Sequence, residues 1–380
     1  MRLETYAEIN LDNLAHNFGC IRQRVGPSGV IPVIKADAYG HGAVPVAGRL
    51  AREGCSMFAV ARFDEAMELR ESGISQRILI LGRLFPDNIE QALKAGLTVS
   101  IFGEEDLDWV ERACDRSGAP PALVHLKLDS GMGRVGLLLD KAADLFDRLA
   151  RSRACIWEGL YSHFSTADEN DKAYAVLQLS KFKEVLCLLP RLAKRPQIIH
   201  MAASGAILDL PQSYFDAVRP GILIYGHYPS KETSRSILPR QVMSLKTHIA
   251  HVREMPGGHP VSYGRRWITP GQTRIAVLPV GYADGLSRRF TNNGEVLIRG
   301  RRYPIVGTVT MDCVMVNVGT DPVAVGDEVL LWGQSPEGVI ETLEAAERIG
   351  TIPYELTCAV SRRVPRVYVE NKREVAGRPA

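Results

Sequence analysis

Short apolar runs alternate with longer stretches of helical period from about Ile31 to Tyr225, the form a chain takes when β-strands and crossover helices repeat. Eight such runs occur: IPVIK, MFAV, ILIL, LTVSI, ALVHLKLD, WEGLYSHF, QIIHM and the VRPGILIYG region, with helical stretches such as AVPVAGRLARE, FDEAMELRES and LQLSKFKEVLCLL between them. Eight βα units favour a closed barrel. Ahead of the first run, Leu14, Phe18 and Ile21 form an apolar helical stripe that Asn10 or Asp12 can cap. After about Ser236 the texture changes. Strand-like runs TRIAVLPV, EVLIRG, RRYPIVGTV, VMVNV and DEVLLWG are separated by Gly, Asn and Asp turns, with one helical stretch near GVIETLEAAERIG. The pattern predicts an α/β plus β chain: an N-terminal (β/α)8 TIM-like barrel over residues 10–236 and a C-terminal, mostly β domain over 237–380. The segment LETYAEIN precedes the barrel pattern, and residues 1–9 are a candidate strand of the second domain.

Length and composition agree with two soluble domains. A chain of 380 residues exceeds what one hydrophobic core usually serves, and 46% apolar with 23% charged residues is ordinary globular composition. The net charge is +3, with basic and acidic residues interspersed, so no basic stripe points to nucleic acid. The N-terminus lacks the apolar core of a signal peptide, and no stretch approaches the ~20 apolar residues of a membrane span. The expectation is a cytoplasmic protein without a membrane partner. Seven scattered cysteines with no C-x-x-C pair indicate neither a disulfide framework nor a metal site.

Barrel enzymes carry their reactive groups at the C-terminal ends of the strands. There the chain places Lys35 after run one, Lys127, Asp129 and Arg134 around run five, His163 after run six, Ser204 after run seven, and Arg219 with Gly221 at run eight. A lysine that ends an apolar strand is desolvated, and a neutral amine can form a Schiff base with an aldehyde. The alternative is a surface lysine closing a strand. The loop Tyr39, Gly40, His41, Gly42 that follows suits a ligand approaching the backbone. Ser204-Gly205-Ala206 and Gly221-Ile222 fall where barrels commonly hold phosphate. Together these features point to an aldehyde cofactor carrying a phosphate, pyridoxal phosphate.

VIKADAYGHG resembles the pyridoxal-phosphate signature of the alanine racemase family. The similarity continues through LKLDSGMGRVG, GLYSHFSTAD, VRPGILIYG, VSYGRRW, VLPVGYADG, GTVTMDCVMV and PYELTC, in family order. The resemblance implies a fold-type III barrel with a β domain and a homodimer that shares its active sites. It implies interconversion of L- and D-alanine, which supplies D-alanine for peptidoglycan. Lys35 would be the cofactor lysine and one base, and Tyr263 of the partner subunit the other. Removing a proton from one face and returning one to the opposite face requires two such groups. A free tyrosine is a poor base at neutral pH, and the resemblance assigns His163 and Arg219 to its support. Arg219 would also face the pyridine nitrogen, where an arginine keeps its own proton and leaves the ring a weaker electron sink. Arg134 would bind the cofactor's phenolic oxygen and the substrate carboxylate, with Met311 and Asp312 of the partner lining the pocket. Tyr39, Ser204, Gly221, Ile222 and Tyr354 would serve the phosphate. Lys127 occupies the position of a lysine carbamylated in many family members. The sequence departs from the family in HMAASG, where Ala203 stands in place of an asparagine.

Other readings are a broad-specificity, serine or lysine racemase of the same fold, and a related decarboxylase. A non-enzymatic pyridoxal-phosphate carrier is a single barrel, against which the presence of Tyr263, Met311 and Asp312 argues. A barrel scaffold with an interaction role is the plainest alternative.

Overall fold

Seven of the eight apolar runs contribute a strand to one parallel barrel in the computed structural model, which describes residues 4–118, 120–371 and 373–378, and the strand of the first unit, Gly29–Val30, precedes its run. Neighbouring strands run from Gly29–Val30 through Ala217–Arg219, Ile198–Ala203, Cys155–Tyr161, Ala122–Asp129, Thr98–Ile101 and Arg77–Ile80 to Met57–Val60. The first strand is short because Pro32 has no N–H for a ladder. Backbone bonds nevertheless carry the chain onward: Ile31 N donates to Val218 O (2.8 Å) and Val33 N to Pro220 O (2.9 Å). The same segment closes the circle, with Ala59 N on Pro32 O (2.9 Å) and Ile34 N on Ala59 O (2.8 Å). Strands covered on both faces carry continuous Val, Ile and Leu, and Ile78, Leu79, Ile80, Val99, Ile101, Val124 and Leu126 are buried accordingly.

The helix before the barrel, Leu11–Val25, is capped by Asn10, whose side chain accepts from Asn13 N at 2.9 Å. Asp12 is spent elsewhere, accepting from Asn371 N. Thr5–Asn10 is a strand of the second sheet, antiparallel to Met243–His248 and parallel to Arg366–Glu370. Met1–Leu3, Ala119, Lys372, Pro379 and Ala380, which fall within the sequence-based segments, lie outside the described residues.

The five strand-like runs of the C-terminal half form strands Thr273–Leu278, Glu295–Ile298, Arg301–Val306, Val314–Gly319 and Glu328–Ser335. Met243–His248, His251–Met255 and Arg366–Glu370 join the same sheet but escape the apolar pattern. They carry lysine, arginine and glutamate: buried Lys246 pairs with Glu8 at 2.8 Å, and His251, Arg253 and Glu254 are solvent-exposed. The helix near GVIETLEAAERIG spans Thr342–Arg348, because Gly338–Ile340 pairs back onto Gly333–Ser335. A further helix, Pro353–Ala359, packs against the barrel mouth. Among the described residues no helix is long and apolar enough to cross a membrane, and no cluster of three metal-ligating side chains exists.

Asn17 ties the first helix to the chain leaving the barrel. Its buried amide donates to Ile224 O (3.0 Å) and Arg240 O (2.8 Å) and accepts from Arg240 N (2.7 Å). Asn17→Ala strands these backbone groups away from water, so a loss of about 3 kcal/mol is expected in urea unfolding. A loss below about 0.5 kcal/mol would show that the junction is not held there.

Candidate active site

The first barrel strand ends in an unusual backbone. After Lys35 the chain enters a left-handed turn in which Ala36, Asp37, Ala38 and Tyr39 have φ of 52, 51, 55 and 56°, continued by Gly40 at 83°. For L-residues each such position costs about 1–2 kcal/mol, so the turn must be held. Glu65 accepts from Ala36 N at 2.6 Å, and its other oxygen accepts from Ala61 N and Arg62 N. Asp37 accepts from Ala43 N at 2.7 Å, and Arg366 donates to Gly40 O at 3.0 Å. A Cβ at Gly40 would lie 2.2 Å from Thr357 O, so helix Pro353–Ala359 presses on the turn. The result fixes Lys35 and Tyr39 on the wall of a cavity of about 560 Å3.

The same cavity gathers Lys127, Arg134, His163 and Arg219. Arg219 is buried, its Nη2 donating to Ser162 O (2.7 Å), Met201 O (3.1 Å) and His163 Nδ1 (3.3 Å), and its Nη1 to His200 Nδ1 (2.6 Å). Arginine has no acceptor, so His163 Nδ1 carries a lone pair and a neutral His163 has its proton on Nε2. Burial, then the neighbouring Arg219, Lys127, Arg134 and Lys35, hold the His163 pKa well below its usual value. Burial and the charge of Arg134 also lower that of Lys35. Lys127 is buried, with Nζ 5.1 Å from the centre of the Tyr161 ring. Burial, followed by Arg219 and Arg134, brings its pKa down to about 7. The nearby Asp129 offers little relief, because its carboxylate accepts from Gly131, Met132 and Gly133 N and shapes the GMGR turn. Asp168 is the one carboxylate among the described lining residues.

At the opposite wall, Ser204 opens a six-residue helix but does not cap it. Its Oγ accepts from Gly221 N (3.0 Å) and Leu223 N (3.3 Å), joining the loops after strands seven and eight. The Tyr39 ring lies between Tyr225 (4.9 Å) and Tyr354 (5.9 Å). Burial first, then neighbouring negative charge, raises the pKa of both Tyr39 and Tyr354, so each presents a neutral hydroxyl. A Cβ at Gly221 would come within 2.6 Å of the Tyr39 oxygen and 4.0 Å of Ser204 Oγ, so only bare backbone leaves this corner open. Ile222 and Ala203 line it.

Tyr263, Met311 and Asp312 do not meet Lys35 within one chain. They stand on the β-rich half, Tyr263 75% and Met311 51% exposed, and Asp312 pairs with Arg363 at 2.9 Å. Their two loops are locked together: Ser262 Oγ donates to Thr308 O, and Thr308 Oγ1 to Tyr263 O, both at 2.7 Å. The backbone that carries the exposed phenol is thus pinned.

The family descriptions "Alanine racemase, N-terminal domain" and "Alanine racemase, C-terminal domain" match residues 9–229 and 242–368. The chain belongs to the alanine racemase family. Curated relatives include alanine racemase of Desulforamulus reducens, 42% identical over 97% of this chain and 100% of the relative, and alanine racemase 2 of Caldanaerobacter subterraneus subsp. tengcongensis, 41% identical over 96% and 95%. The solved alanine racemase of Clostridium difficile 630 superposes with a TM-score of 0.94 at 38% identity, covering 100% of this chain and 99% of that one. The family is one of isomerases, and its barrel-plus-β architecture is the one found here.

Several residues of this racemase-family site were not singled out by sequence. Glu65 holds the left-handed turn, Tyr161 lies beneath Lys127 and Arg219, and His125, Glu158 and His200 lie under the cavity floor. A histidine or glutamate inside an otherwise apolar parallel strand was the available signal, because burying such a group requires a partner.

The lowered Lys127 pKa has a stability signature. The unfolded lysine binds its proton up to about 10.5 and the folded one only to about 7, so the charge penalty is full below pH 7 and relieved as pH rises between these values. In CO2-free buffer, Lys127→Met should be more stable than the native chain at about pH 6, with the gap narrowing toward pH 10. Urea unfolding across this range checks it; a pH-independent gap contradicts the buried-amine description.

Proposed function

We propose that the chain is a pyridoxal-phosphate-dependent racemase acting on L- and D-alanine, active in the cytoplasm as a homodimer with shared sites. The observation that supports this best is the cavity itself. An amine of lowered pKa shares its walls with Lys127, Arg134 and Arg219, with the neutral phenols of Tyr39 and Tyr354 among others, and with a bare-backbone corner at Gly221. Such a donor set fits a doubly anionic phosphate and a substrate carboxylate, and the open corner beside Ser204 fits the phosphate oxygens.

Lys35 Nζ would hold the cofactor's aldehyde carbon; Tyr39, Ser204, Gly221, Ile222 and Tyr354 would hold its phosphate, and Arg219 would face its ring nitrogen. When bound, pyridoxal phosphate draws electrons from the α-carbon of an attached amino acid and makes that C–H acidic. Lys35 Nζ, whose pKa burial and Arg134 lower, takes or returns the α-proton on the D face. The phenolic oxygen of Tyr263, contributed by the second copy of the chain, does so on the L face. His163, whose Nε2 carries the proton, donates toward that phenol and stabilises it when deprotonated. Arg134 orients the substrate carboxylate, and the partner's Met311 and Asp312 limit side-chain volume, which favours a methyl group. The presence of Tyr263, Met311 and Asp312 on a second, β-rich half supports an enzyme over a single-barrel cofactor carrier, which has no use for a second base.

Lys127 fits carbamylation. Its neutral amine forms an N–C bond to CO2 with loss of one proton, and the carbamate anion then lies between Arg134 and Arg219, replacing a repulsive cation by an attractive charge.

The purified protein is expected to racemise L-alanine far faster than L-serine or L-lysine, and borohydride reduction with peptide mapping should place the cofactor label on Lys35. Comparable rates across the three amino acids would favour a broad-specificity racemase, and a label on Lys127 would overturn the lysine assignment.

Separately inactive Lys35→Ala and Tyr263→Phe chains should regain activity when mixed, because each heterodimer assembles one intact site. Heterodimers that form and stay inactive would exclude sharing.

A further inference from the structure

Beneath the cavity floor a line of hydrogen bonds runs down the barrel interior. Arg219 Nη1 meets His200 Nδ1 at 2.6 Å, His200 Nε2 meets His125 Nδ1 at 2.9 Å, and His125 Nε2 meets Glu158 Oε2 at 3.1 Å. The other Glu158 oxygen accepts from Arg77 at the foot of the barrel, and Thr98 Oγ1 lies 3.4 Å from Oε2. Both histidines are fully buried, and Glu158 is buried as well. The His200 ring stacks on Tyr161 at 4.8 Å with planes 4° apart. The same Tyr161 ring receives the Arg219 guanidinium at 5.2 Å, and its hydroxyl is anchored on Ser100 at 2.8 Å.

The two ends decide every proton in between. Arginine can only donate and an ionised carboxylate can only accept. His200 Nδ1 must therefore accept from Arg219, which puts its proton on Nε2. That proton is donated to His125 Nδ1, which puts the His125 proton on Nε2, facing Glu158. A second proton on either ring would place two donors head to head, and burial holds both rings below their usual pKa in agreement. Glu158 stays ionised despite burial because the His125 and Arg77 bonds outweigh desolvation.

We propose that Glu158 is a positioning residue for Arg219: acting through His125 and His200 in their Nε2–H forms, it supplies the terminal acceptor that keeps the guanidinium in one orientation at the cavity floor. Arg219 Nη2 is occupied by Ser162 O, Met201 O and His163. The bond to His200 fixes the Nη1 side, so the guanidinium presents a defined edge to the cavity. Without an acceptor at Glu158, the His125 Nε2–H is left unpaired and that tautomer loses its advantage. Moving the proton to Nδ1 forces His200 to its Nδ1–H form as well and pushes the conflict up to Arg219. The functional part of this inference rests on the racemase reading; the tautomer part does not.

The test uses the cofactor-loaded enzyme labelled with 15N-histidine. Long-range 1H–15N spectra of the native protein should show His125 and His200 neutral with the proton on Nε2. Glu158→Leu should create an Nδ1–H population at His125 and lower kcat on the order of tenfold with KM within about twofold. Glu158→Gln retains an acceptor and should preserve both tautomers and most of kcat. If Glu158→Leu fails to fold, the pair His125→Gln and His125→Phe serves. The glutamine carbonyl can accept from His200 while its amide donates to Glu158, so only the phenylalanine variant should lose kcat. An Nδ1–H or doubly protonated ring in the native protein overturns the proposal. So does a folded Glu158→Leu or His125→Phe enzyme with unchanged kcat, which would reduce the line to a structural element. Native enzyme with the stated tautomers but no turnover of alanine would instead count against the racemase reading.

Discussion

Positive charge crowded into a partly dry barrel mouth is the constraint on which the rest of this structure depends. Lys35, Lys127, Arg134 and Arg219 share one cavity wall, with Asp168 as the one described lining carboxylate. Like charges brought together in a medium of reduced dielectric repel, and the chain relieves them in distinct ways. Burial and neighbouring positive charge lower the pKa of both lysines, that of Lys127 to about 7. Arg219 keeps its charge, spreading it over two backbone carbonyls, two histidine lone pairs and the face of Tyr161. What remains uncompensated suits an anionic ligand.

The second requirement is reach. The left-handed turn from Ala36 to Gly40 is unfavourable in isolation, and it persists because Glu65, Asp37 and Arg366 satisfy its backbone and because helix Pro353–Ala359 packs over it. That helix also carries Tyr354 to the Tyr39 ring. The β-rich half therefore completes the cavity from outside the barrel, and strain at Lys35 is offset by packing contributed more than 300 residues later in the chain.

Much of this was legible in the sequence. Continuous apolar runs gave away the barrel strands, and Lys35, His163, Ser204, Arg219 and Gly221 stood where strands end. The strands around Lys246 and Arg253 were hidden because they trade apolar residues for ion pairs and solvent. Glu65 and Glu158 were hidden for another reason: their partners, the Ala36 amide and the His125 ring, are 29 and 33 residues away and meet them only through the barrel's curvature. Tyr263 was singled out by its motif and not by any physical pattern, since nothing sets an exposed tyrosine in a turn apart from its neighbours.

The exposed phenol of Tyr263 carries the central claim, that two bases work from opposite faces of one substrate. Solvent-deuterium exchange at the α-carbon, followed for each pure alanine enantiomer under single-turnover conditions in Tyr263→Phe, addresses it most directly. Exchange from D-alanine should persist through Lys35, while exchange from L-alanine should fall by a factor on the order of 100 or more. An equal loss for both enantiomers would contradict a proton-transfer role for Tyr263 and leave it a substrate-positioning group.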